Sequence, residues 1–436
     1  MNTLYEEARN IPVADEADVI VIGGGLAGVS AAVAAARNGA SVILIEKSII
    51  LGGLATLGHV CAYLPIDDGV GNKIYGGLGE ELLRVCSRYG FHTIAECWES
   101  GDDVVEDAGA RYQSYFNIPA AVCALDELMQ NEGVKVVFDT NFCAPVMEGS
   151  TCKGVIVENK SGRTAYLGKM FIDASGDADL FFRAGAPCKE ERNIVSHWGF
   201  ELDMGTLKRG LDSGKVMDSI VFRWLGLAPD MESTEGILPM YYGTSSDEVN
   251  AYIRTSRKLA LEYFKKHQSD DYMQLTLPLM PQYRMTRRLD GKAVFKADHS
   301  DTVDTSIGCM IFSLKSPAPV HEFPYEALID TKITNIAAAG RIVSADGYGW
   351  EVARFIPACV LTGEASGTAA AMAIKEGAAL QDIDVAKLQE KLASAGVKIH
   401  MTERMRRNAE LPKPQRDLSA PHMEIRRDSL STRDTH

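Results

Sequence analysis

The first part of the chain combines short apolar runs with one alanine-rich run, a pattern typical of a parallel sheet with a covering helix. Residues 19–22 are wholly apolar and rich in β-branched side chains, which predicts a strand buried on both faces. An alanine-rich helix is predicted over residues 26–38, and Gly39 is placed to end it in a left-handed turn. A second buried strand is predicted over residues 41–45. The pattern therefore predicts a β-α-β unit.

Three glycines occupy the turn between this strand and this helix. Gly23, Gly25 and Gly28 have G-x-G-x-x-G spacing, which allows a tight turn, a close approach of a pyrophosphate and close packing of helix on strand. The helix N-terminus directs free N–H groups and partial positive charge at the phosphates. Glu46 ends the second strand, where a carboxylate can accept hydrogen bonds from both ribose hydroxyls of an adenosine. The order of these parts predicts a dinucleotide-binding site.

The remaining pattern predicts further helices and strands around this unit. Residues 80–89 form an amphipathic helix, and Pro119 suits the first turn of another helix. A strand is predicted over residues 134–138 and a β-meander over residues 141–169. Residues 190–325 show no β-α-β rhythm, which favours an inserted substrate or cap domain.

Composition limits the metal sites, the cellular compartment and the binding partners to be expected. The 436 residues contain nine cysteines without a C-x-x-C pair, which argues against a zinc site and against a redox disulfide of thioredoxin type. No metal site is expected. Their irregular spacing suits a reducing cytoplasm, and residues 1–17 show no signal peptide. A net charge of −14 disfavours nucleic acid and anionic membranes as partners. Without a long apolar run, no membrane insertion is expected.

Two later stretches repeat the arrangement of a buried strand followed by a glycine turn. A strand over residues 170–174 leads into S-G-D-A-D at residues 175–179, and a strand over residues 333–338 leads into A-G-R at residues 339–341. Together with the first glycine turn, they resemble the motifs of the FAD-dependent oxidoreductase family, whose members are glutathione-reductase-like Rossmann flavoproteins related to fumarate reductase flavoproteins. Ser175 stands where that family usually has threonine.

A small-residue helix follows the A-G-R stretch. Pro357 suits its first turn, and Gly363 and Gly367 lie four residues apart on one face. In the resembled family a helix at this position is aimed at the isoalloxazine of the flavin. The smooth face is expected to press against the cofactor or against a neighbouring strand.

The resemblance covers most of residues 15–380 and implies bound FAD, expected to be non-covalent. In this fold class, the loop near residues 140–143 gives backbone hydrogen bonds to the adenine. The residues implied to bind FAD are Gly23, Gly25, Leu26, Ala27, Gly28, Glu46, Lys47, Gly52, Gly53, Leu54, Ala55, Phe142, Cys143, Ala174, Ser175, Gly176, Asp179, Gly340, Arg341, Asp346, Ala358 and Cys359.

Four residues are candidates for contact with substrate. His59 could be a covalent flavin attachment point, a substrate ligand or a plain loop residue, and Tyr63 could face the ring or be an ordinary half-buried aromatic. Arg284 lies in a basic cluster that could bind an anionic substrate or the pyrophosphate, or make salt bridges within the cap. Arg354, before the small-residue helix, could stabilise reduced flavin, hold substrate or pair with Glu351 or Glu364.

These observations predict an α/β protein with a discontinuous Rossmann-type FAD-binding domain and an inserted α+β cap. The predicted FAD domain comprises residues 1–60, 117–189 and 326–380, the cap region residues 61–116 and 190–325, and a C-terminal helical segment and polar tail residues 381–436.

The predicted function follows from the same resemblance. The leading interpretation is hydride transfer between a small organic substrate and flavin N5, in the direction of substrate oxidation, with an unknown electron acceptor. The alternatives are fumarate-reductase-like reduction of an activated alkene, with Arg284 or Arg354 as proton donor, and a non-catalytic FAD-fold scaffold or escort protein.

Overall fold

Apolar β-branched runs form the strands of this protein, and alanine-rich or amphipathic runs form its helices. A computed structural model describes residues 3–226, 238–297, 302–312 and 317–407, together with the backbone of Glu424–Asp428. Its α-helices are α1 (Leu26–Arg37), α2 (Leu78–Ser87), α3 (Ile118–Asn131), α4 (Asp179–Arg183), α5 (Met204–Ser213), α6 (Ser246–His267), α7 (Tyr348–Ala353), α8 (Ile356–Glu376), α9 (Val385–Ser394) and α10 (Glu403–Arg406). Its strands are β1 (Val13–Ile22), β2 (Val42–Ile45), β3 (Ala62–Tyr63), β4 (Ser114–Tyr115), β5 (Lys135–Val137), β6 (Asn141–Glu148), β7 (Thr151–Asn159), β8 (Gly162–Asp173), β9 (Cys188–Glu190), β10 (Asn193–Ile194), β11 (Ser196–Asp203), β12 (Val221–Gly226), β13 (Met240–Tyr241), β14 (Tyr272–Gln274), β15 (Arg287–Leu289), β16 (Ser306–Met310), β17 (His321–Pro324), β18 (Ile336–Ala338) and β19 (Glu424–Asp428).

The largest sheet has seven strands in the order β5-β2-β1-β8-β7-β6, with β18 beside β8. β1 and β2 are parallel, as the β-α-β pattern predicts, with Val19 opposite Val42. One edge of β8 pairs with β1 along its length, while the other edge pairs first with β7 and then with β18. The sequence divides this stretch into a meander and a separate strand over residues 170–174. The structure has one strand there, because β1 holds both halves in line.

The two small-residue helices pack as closely as their backbones allow. A Cβ on Gly363 of α8 would lie 2.2 Å from the carbonyl oxygen of Ala27 on α1, and a Cβ on Gly367 would lie 2.1 Å from that of Ala31. Because the residue numbers rise together in both helices, α1 and α8 run parallel and begin at the same end. The smooth face of α8, expected to meet the cofactor or a strand, therefore contacts a helix instead.

The cap region contains a four-stranded sheet in the order β14-β11-β12-β19. β11 and β12 are antiparallel, and β19 pairs in parallel with β12. The sequence predicts a polar tail at the end of residues 381–436, and the structure shows that Glu424–Asp428 of this tail form a strand. A strand edge presents unpaired N–H and C=O groups, and the added strand satisfies those of β12. Residues 408–423 and 429–436 of the tail lie outside the described residues.

The other predicted helices agree with the structure within a few residues. Pro119 lies in the first turn of α3, and the Asn117 side chain caps this helix by accepting a hydrogen bond from the backbone N–H of Ala120 at 3.0 Å. The terminal segment forms the short helices α9 and α10. Across the described part of the chain, no helix is both long and apolar enough to cross a membrane.

Glu364 is a buried carboxyl of α8 that caps a neighbouring helix. Its Oε2 accepts a hydrogen bond of 3.0 Å from the backbone N–H of Leu78, the first residue of α2, and the residue is 3% exposed. Burial is the main reason that the pKa of Glu364 rises to about 8, against the effect of the Leu78 hydrogen bond. Nearby Glu81 raises this pKa further and Arg37 lowers it.

The contact between α1 and α8 predicts a cost for any side chain at Gly363. Gly363→Ala should lower the free energy of unfolding by about 1–3 kcal/mol, the usual penalty for overpacking, because its Cβ meets a backbone carbonyl. Chemical unfolding measures this change. Gly109→Ala is the matched control, since a Cβ there would meet no atom within 4 Å. Equal stability of the two variants would contradict the packing argument.

The raised pKa of Glu364 predicts a pH-dependent stability. Between pH 4.5, its ordinary pKa, and about pH 8, the folded state holds a proton that the unfolded chain has lost. Stability from this group is therefore present at the low end of that window and is lost as the pH rises through it. The unfolding free energy of the wild type should fall relative to that of Glu364→Gln by up to about 1.4 kcal/mol per pH unit. Urea titrations across the window test this, and a difference that stays constant with pH would refute it.

Candidate active site

The three glycines after β1 meet different neighbours. At Gly23 φ is +104°, and a Cβ there would lie 2.4 Å from the carbonyl oxygen of Ala174. A Cβ on Gly28 would lie 1.9 Å from the carbonyl oxygen of Gly23, so α1 starts in contact with the turn. At Gly25, the N-cap of α1, no described atom lies within 4 Å of the Cβ position. The turn is therefore open on the side where a ligand can approach its backbone.

Glu46 follows β2 and holds the same turn through a hydrogen bond to its backbone. Its Oε2 accepts a hydrogen bond of 2.6 Å from the backbone N–H of Gly24, and its Oε1 accepts one of 2.7 Å from that of Ser48. The residue is 6% exposed and lines the cavity described below. Each carboxylate oxygen can accept more than one hydrogen bond, so Glu46 retains capacity for the hydroxyls of a ligand.

The turn after β8 is organised by Asp173, the last residue of that strand. Its Oδ1 accepts a hydrogen bond of 2.6 Å from the hydroxyl of Ser175, and its Oδ2 accepts one of 3.0 Å from the backbone N–H of Phe181. Burial raises the pKa of Asp173 to about 6. The hydroxyl of Ser175 also accepts a 3.0 Å hydrogen bond from the backbone N–H of Asp179. Serine thus supplies the hydroxyl that a threonine would supply here.

Arg341 connects the turns after β8 and β18 to the cap. Its Nε donates to the carbonyl oxygen of Gly176 at 2.5 Å, and its Nη2 donates to Asp177 Oδ1 at 2.9 Å. Its Nη1 donates to the carbonyl oxygen of Tyr283 at 3.0 Å. One side chain therefore fixes the cap segment around residue 283 against the edge of the large sheet.

A cavity of about 1690 Å³ extends from the glycine turn to the cap sheet. Pockets for a drug-sized ligand measure roughly 300–1,000 Å³, so this cavity has room for a dinucleotide and a second small molecule. The candidate residues that line it are Gly23, Gly25, Leu26, Ala27, Glu46, Lys47, Gly52, Gly53, Leu54, Ala55, Phe142, Ala174, Ser175, Gly176, Asp179, Arg284, Gly340, Arg341, Arg354 and Cys359.

Four residues implied to bind FAD are not part of this lining. Gly28 faces the carbonyl of Gly23, and Ala358 is fully buried in α8. The thiol of Cys143 contacts the carbonyl oxygen of its neighbour Asn141 at 3.6 Å. Asp346 is exposed, and its Oδ1 lies 3.2 Å from Arg288 Nη2. In the structure these residues support the site from behind or stand beside it.

Two candidate substrate residues also lie away from the cavity lining. Tyr63 is fully buried, and its hydroxyl donates to the carbonyl oxygen of Gly79 at 2.7 Å, so it is a core residue. His59 is 6% exposed with φ +57°, and its Nδ1 lies 3.4 Å from Thr276 Oγ1. Burial lowers the pKa of His59. Neither residue is part of the cavity lining, which agrees with the alternatives of a loop residue for His59 and an ordinary aromatic for Tyr63. Non-covalent attachment of the flavin stays a prediction.

The far end of the cavity is an aromatic chamber that residue-by-residue sequence reasoning misses. Trp198 of β11 and the two residues Phe222 and Trp224 of β12 line it from the cap sheet, and Phe312 and Phe355 line it as a stacked pair with ring centres 4.1 Å apart. The alternation W-x-F at residues 198–200 and F-x-W at residues 222–224 is the signal that could have indicated an aromatic sheet face. Its pairing across two strands becomes visible only with the register.

The two parallel helices α1 and α8 both begin at this cavity. Leu26 and Ala27 line it from the first turn of α1, and Ile356 and Cys359 line it from the first turn of α8. Each helix N-terminus carries roughly half a positive charge. The cavity thus receives partial positive charge from two directions, which favours phosphates and any negative charge that develops on a bound ring.

Sheet, glycine turn, acid and cavity together define a dinucleotide-binding protein of Rossmann type, with the cap sheet at the same cavity as the glycine turn. Residues 18–199 and 228–392 match the FAD dependent oxidoreductase family. The chain belongs to this family, and its cofactor is FAD. The open turn at Gly25, the carboxylate of Glu46 and the start of α8 fit the pyrophosphate, ribose and ring of that group in turn.

Solved structures with related folds cover most of the chain at low identity. A geranylgeranyl bacteriochlorophyll reductase-like protein from Thermoplasma acidophilum is 12% identical, with a TM-score of 0.43 and 93% coverage of both chains. The p-nitrophenol 4-monooxygenase of Pseudomonas putida is 13% identical, with a TM-score of 0.47 and coverage of 91% of this chain and 92% of that chain. A 3-ketosteroid-delta4-(5alpha)-dehydrogenase from Rhodococcus jostii is 13% identical, with a TM-score of 0.41 and coverage of 83% and 98%. No curated protein matches the chain.

The open space at Gly25 predicts a variant that folds but binds FAD poorly. Gly25 has φ −64° and ψ 170°, which valine also adopts, and its side chain would project where no described atom stands. Gly25→Val should therefore keep the melting temperature of the apoprotein but lose at least about tenfold in FAD affinity, since a branched side chain blocks the approach of the pyrophosphate. Flavin content and reconstitution titrations measure this. Unchanged FAD affinity would show that the pyrophosphate does not lie at this turn.

Proposed function

We propose that this protein oxidises a small organic substrate by hydride transfer to the N5 atom of FAD. The observation that carries the proposal is the continuity of the cavity, which is lined by Gly25 and Glu46 at one end and by Trp198 and Arg284 at the other. A substrate in the aromatic chamber therefore shares one enclosed space with the cofactor. When bound, FAD supplies the hydride acceptor, and the chain supplies orientation, charge and exclusion of water.

The proposed direction of the reaction, substrate oxidation, depends on which compound reduces the flavin. The sequence contains one G-x-G-x-x-G fingerprint after a buried strand, at Gly23, Gly25 and Gly28. Within the described ranges, a β-α-β unit with this glycine turn occurs in the large sheet, where β1, α1 and β2 form it. This supports a substrate, and not NAD(P)H on a domain of its own, as the reductant of the flavin.

The beginning of α8 supports a role for the protein in tuning the flavin. Negative charge accumulates at N1 and at the C2 carbonyl of a flavin that has accepted a hydride, and a helix N-terminus provides pre-oriented positive charge. Arg354 precedes this helix and lines the cavity with a side chain that is 13% exposed. Its Nε donates to Glu351 Oε2 at 2.9 Å, and its Nη2 contacts the same oxygen.

A cytoplasmic location is part of the same proposal. All nine cysteines are free thiols, and four of them are buried. Unpaired thiols in this number suit a reducing compartment better than an oxidising one. The electron acceptor that reoxidises the flavin is left open by the site.

The proposal is tested by reduction of the bound flavin without oxygen. A panel of alcohols, amines and saturated acids should include a compound that bleaches the flavin absorbance of the holoprotein. If dithionite-reduced protein instead transfers its electrons to an activated alkene, and no panel compound bleaches the oxidised flavin, the direction is the reverse. A flavin that reacts with neither group of compounds would favour a scaffold.

Arg354 gives a sharper test of the charge argument. Arg354→Met should keep FAD content while slowing flavin reduction on the order of a hundredfold, because it removes one charge-assisted contact from an enclosed site. Stopped-flow reduction measures the rate. Arg354→Lys, which keeps the charge, should recover part of it.

The ion pair with Glu351 supplies the control. If Arg354 only fixes the loop through that pair, Glu351→Gln should slow reduction as much as Arg354→Met does. If Arg354 acts on the flavin or the substrate, Glu351→Gln should have a much smaller effect. A normal rate in Arg354→Met at unchanged FAD content would make this arginine purely structural.

A further inference from the structure

The cap presents one face of its sheet to the cavity, and that face is aromatic. Trp198 lies opposite Trp224 in the register of β11 and β12, and their ring centres are 4.8 Å apart. Phe222 meets Trp198 edge to face at 5.0 Å. All three residues line the cavity. Such walls favour a flat, unsaturated ligand, since aromatic faces and edges gain most from contact with another π-system.

Several residues of this surface have a buried polar atom with no hydrogen-bond partner among the described residues. These atoms are Nη1 of Arg284, Nε1 of Trp198 and the hydroxyl oxygen of Tyr283, and all three residues line the cavity. Tyr283 is 4% exposed. A buried donor without an acceptor costs about 1–3 kcal/mol. The hydroxyl end of the Tyr283 ring packs against Gly243, so the donors of Arg284 and Trp198 are the two that point to a ligand with acceptor oxygens.

Arg284 is the strongest of these donors. Its guanidinium lies over the Trp224 ring, 5.9 Å from the ring centre, and its Nη1 has no hydrogen-bond partner among the described residues. Burial and the nearby charge of Arg354 lower its pKa to about 10. An anion beside Arg284 would oppose both effects.

Among the described residues, the charges around the chamber add up to one cation without a paired anion. Arg284, Arg354 and Glu351 line the cavity there, and Arg354 is paired with Glu351. The single negative charge of Glu351 is thus already matched, and Arg284 remains. The chamber is therefore built to receive one negative charge.

Aliphatic side chains also line the cavity. Leu57, Met280 and Leu279 are among them, and Leu279 is 74% exposed, which places it where the cavity meets solvent. An apolar lining of this kind admits a hydrophobic body more readily than a sugar or a polyol.

We propose that the aromatic chamber selects planar conjugated carboxylates, with the carboxylate held by Arg284 and Trp198 and the conjugated body between the aromatic side chains of the cap. This inference rests on the proposed function, because it identifies the substrate class for the same cavity. The substrate carries a saturated carbon beside its conjugated body, and the C–H bond of that carbon breaks when the hydride passes to flavin N5. It assigns to Arg284 the role of substrate-binding residue and leaves charge stabilisation at the flavin to Arg354.

Binding of unreactive probes to the holoprotein tests this assignment. The probes are trans-cinnamate, its neutral amide of nearly the same shape, and hexanoate, which has the charge without the planar body. Titration followed by the visible flavin spectrum should show that cinnamate perturbs the spectrum and binds at least about 10-fold more tightly than either comparison compound. Equal affinity for cinnamate and its amide would overturn the inference.

Substitution of Arg284 separates charge from shape. Arg284→Met should weaken cinnamate binding about 10- to 100-fold, with little change for the amide, and Arg284→Lys should restore part of the difference. Arg254→Met removes an exposed arginine of α6 and is the matched control, expected to bind cinnamate as the wild type does. Equal weakening in both methionine variants, or none in Arg284→Met, contradicts the assignment.

The outcomes distinguish this inference from the proposed function. A holoprotein whose flavin is bleached by a panel compound, yet which does not prefer cinnamate to its amide, refutes the carboxylate site and leaves hydride transfer standing. A holoprotein that binds cinnamate through Arg284, but whose flavin no compound reduces, supports the site and refutes the proposed function.

Discussion

The packing of α8 on α1 is the constraint on which the site depends. At Gly363 and Gly367 the backbone of α8 lies so close to the carbonyls of Ala27 and Ala31 that a methyl group would overlap them. Two helices in such contact cannot rotate or slide independently. Their parallel arrangement brings both N-termini to one cavity, where each adds partial positive charge without a charged side chain. The close packing of small residues between α1 and α8 thus determines where two partial positive charges lie at the cofactor site.

A second constraint connects the nucleotide site at the edge of the large sheet to the aromatic chamber. Arg341 follows the last strand of the large sheet, yet it holds the carbonyls of both Gly176 and Tyr283. Tyr283 precedes Arg284, so the arginine proposed to bind substrate is positioned by a residue of the nucleotide domain. Asp177 shares the guanidinium, and the charge of Arg341 is one of the influences that lower its pKa against the effect of burial. The position of the substrate relative to the flavin is thereby tied to the large sheet.

How far the sequence predicts this site depends on how local each signal is. The glycine turn, Glu46 and the strand end at Ser175 are predictable because their spacing in the chain is itself the signal. Gly23, Gly25, Glu46 and Ser175 line the cavity. For Tyr63 the sequence leaves two alternatives open, because its burial depends on distant segments of the chain. The face of α8 was misassigned because Gly363 reports close packing but does not say against what. The aromatic chamber requires the register of two cap strands, which composition does not reveal.

The pairing of buried arginines with carboxylates elsewhere in the protein is the strongest support for a binding site in the chamber. Elsewhere in the described structure the chain pairs such residues: Arg223 Nη2 lies 2.5 Å from Glu201 Oε1, and Arg111 Nε lies 3.0 Å from Asp67 Oδ2. An unpaired buried charge is strongly destabilising, so a fold that neutralises two of them and leaves Arg284 unmatched bears a cost that its own stability does not explain. Functional sites are where such costs are retained, because a ligand completes the pairing. Arg284 therefore indicates the charge of what the chamber receives.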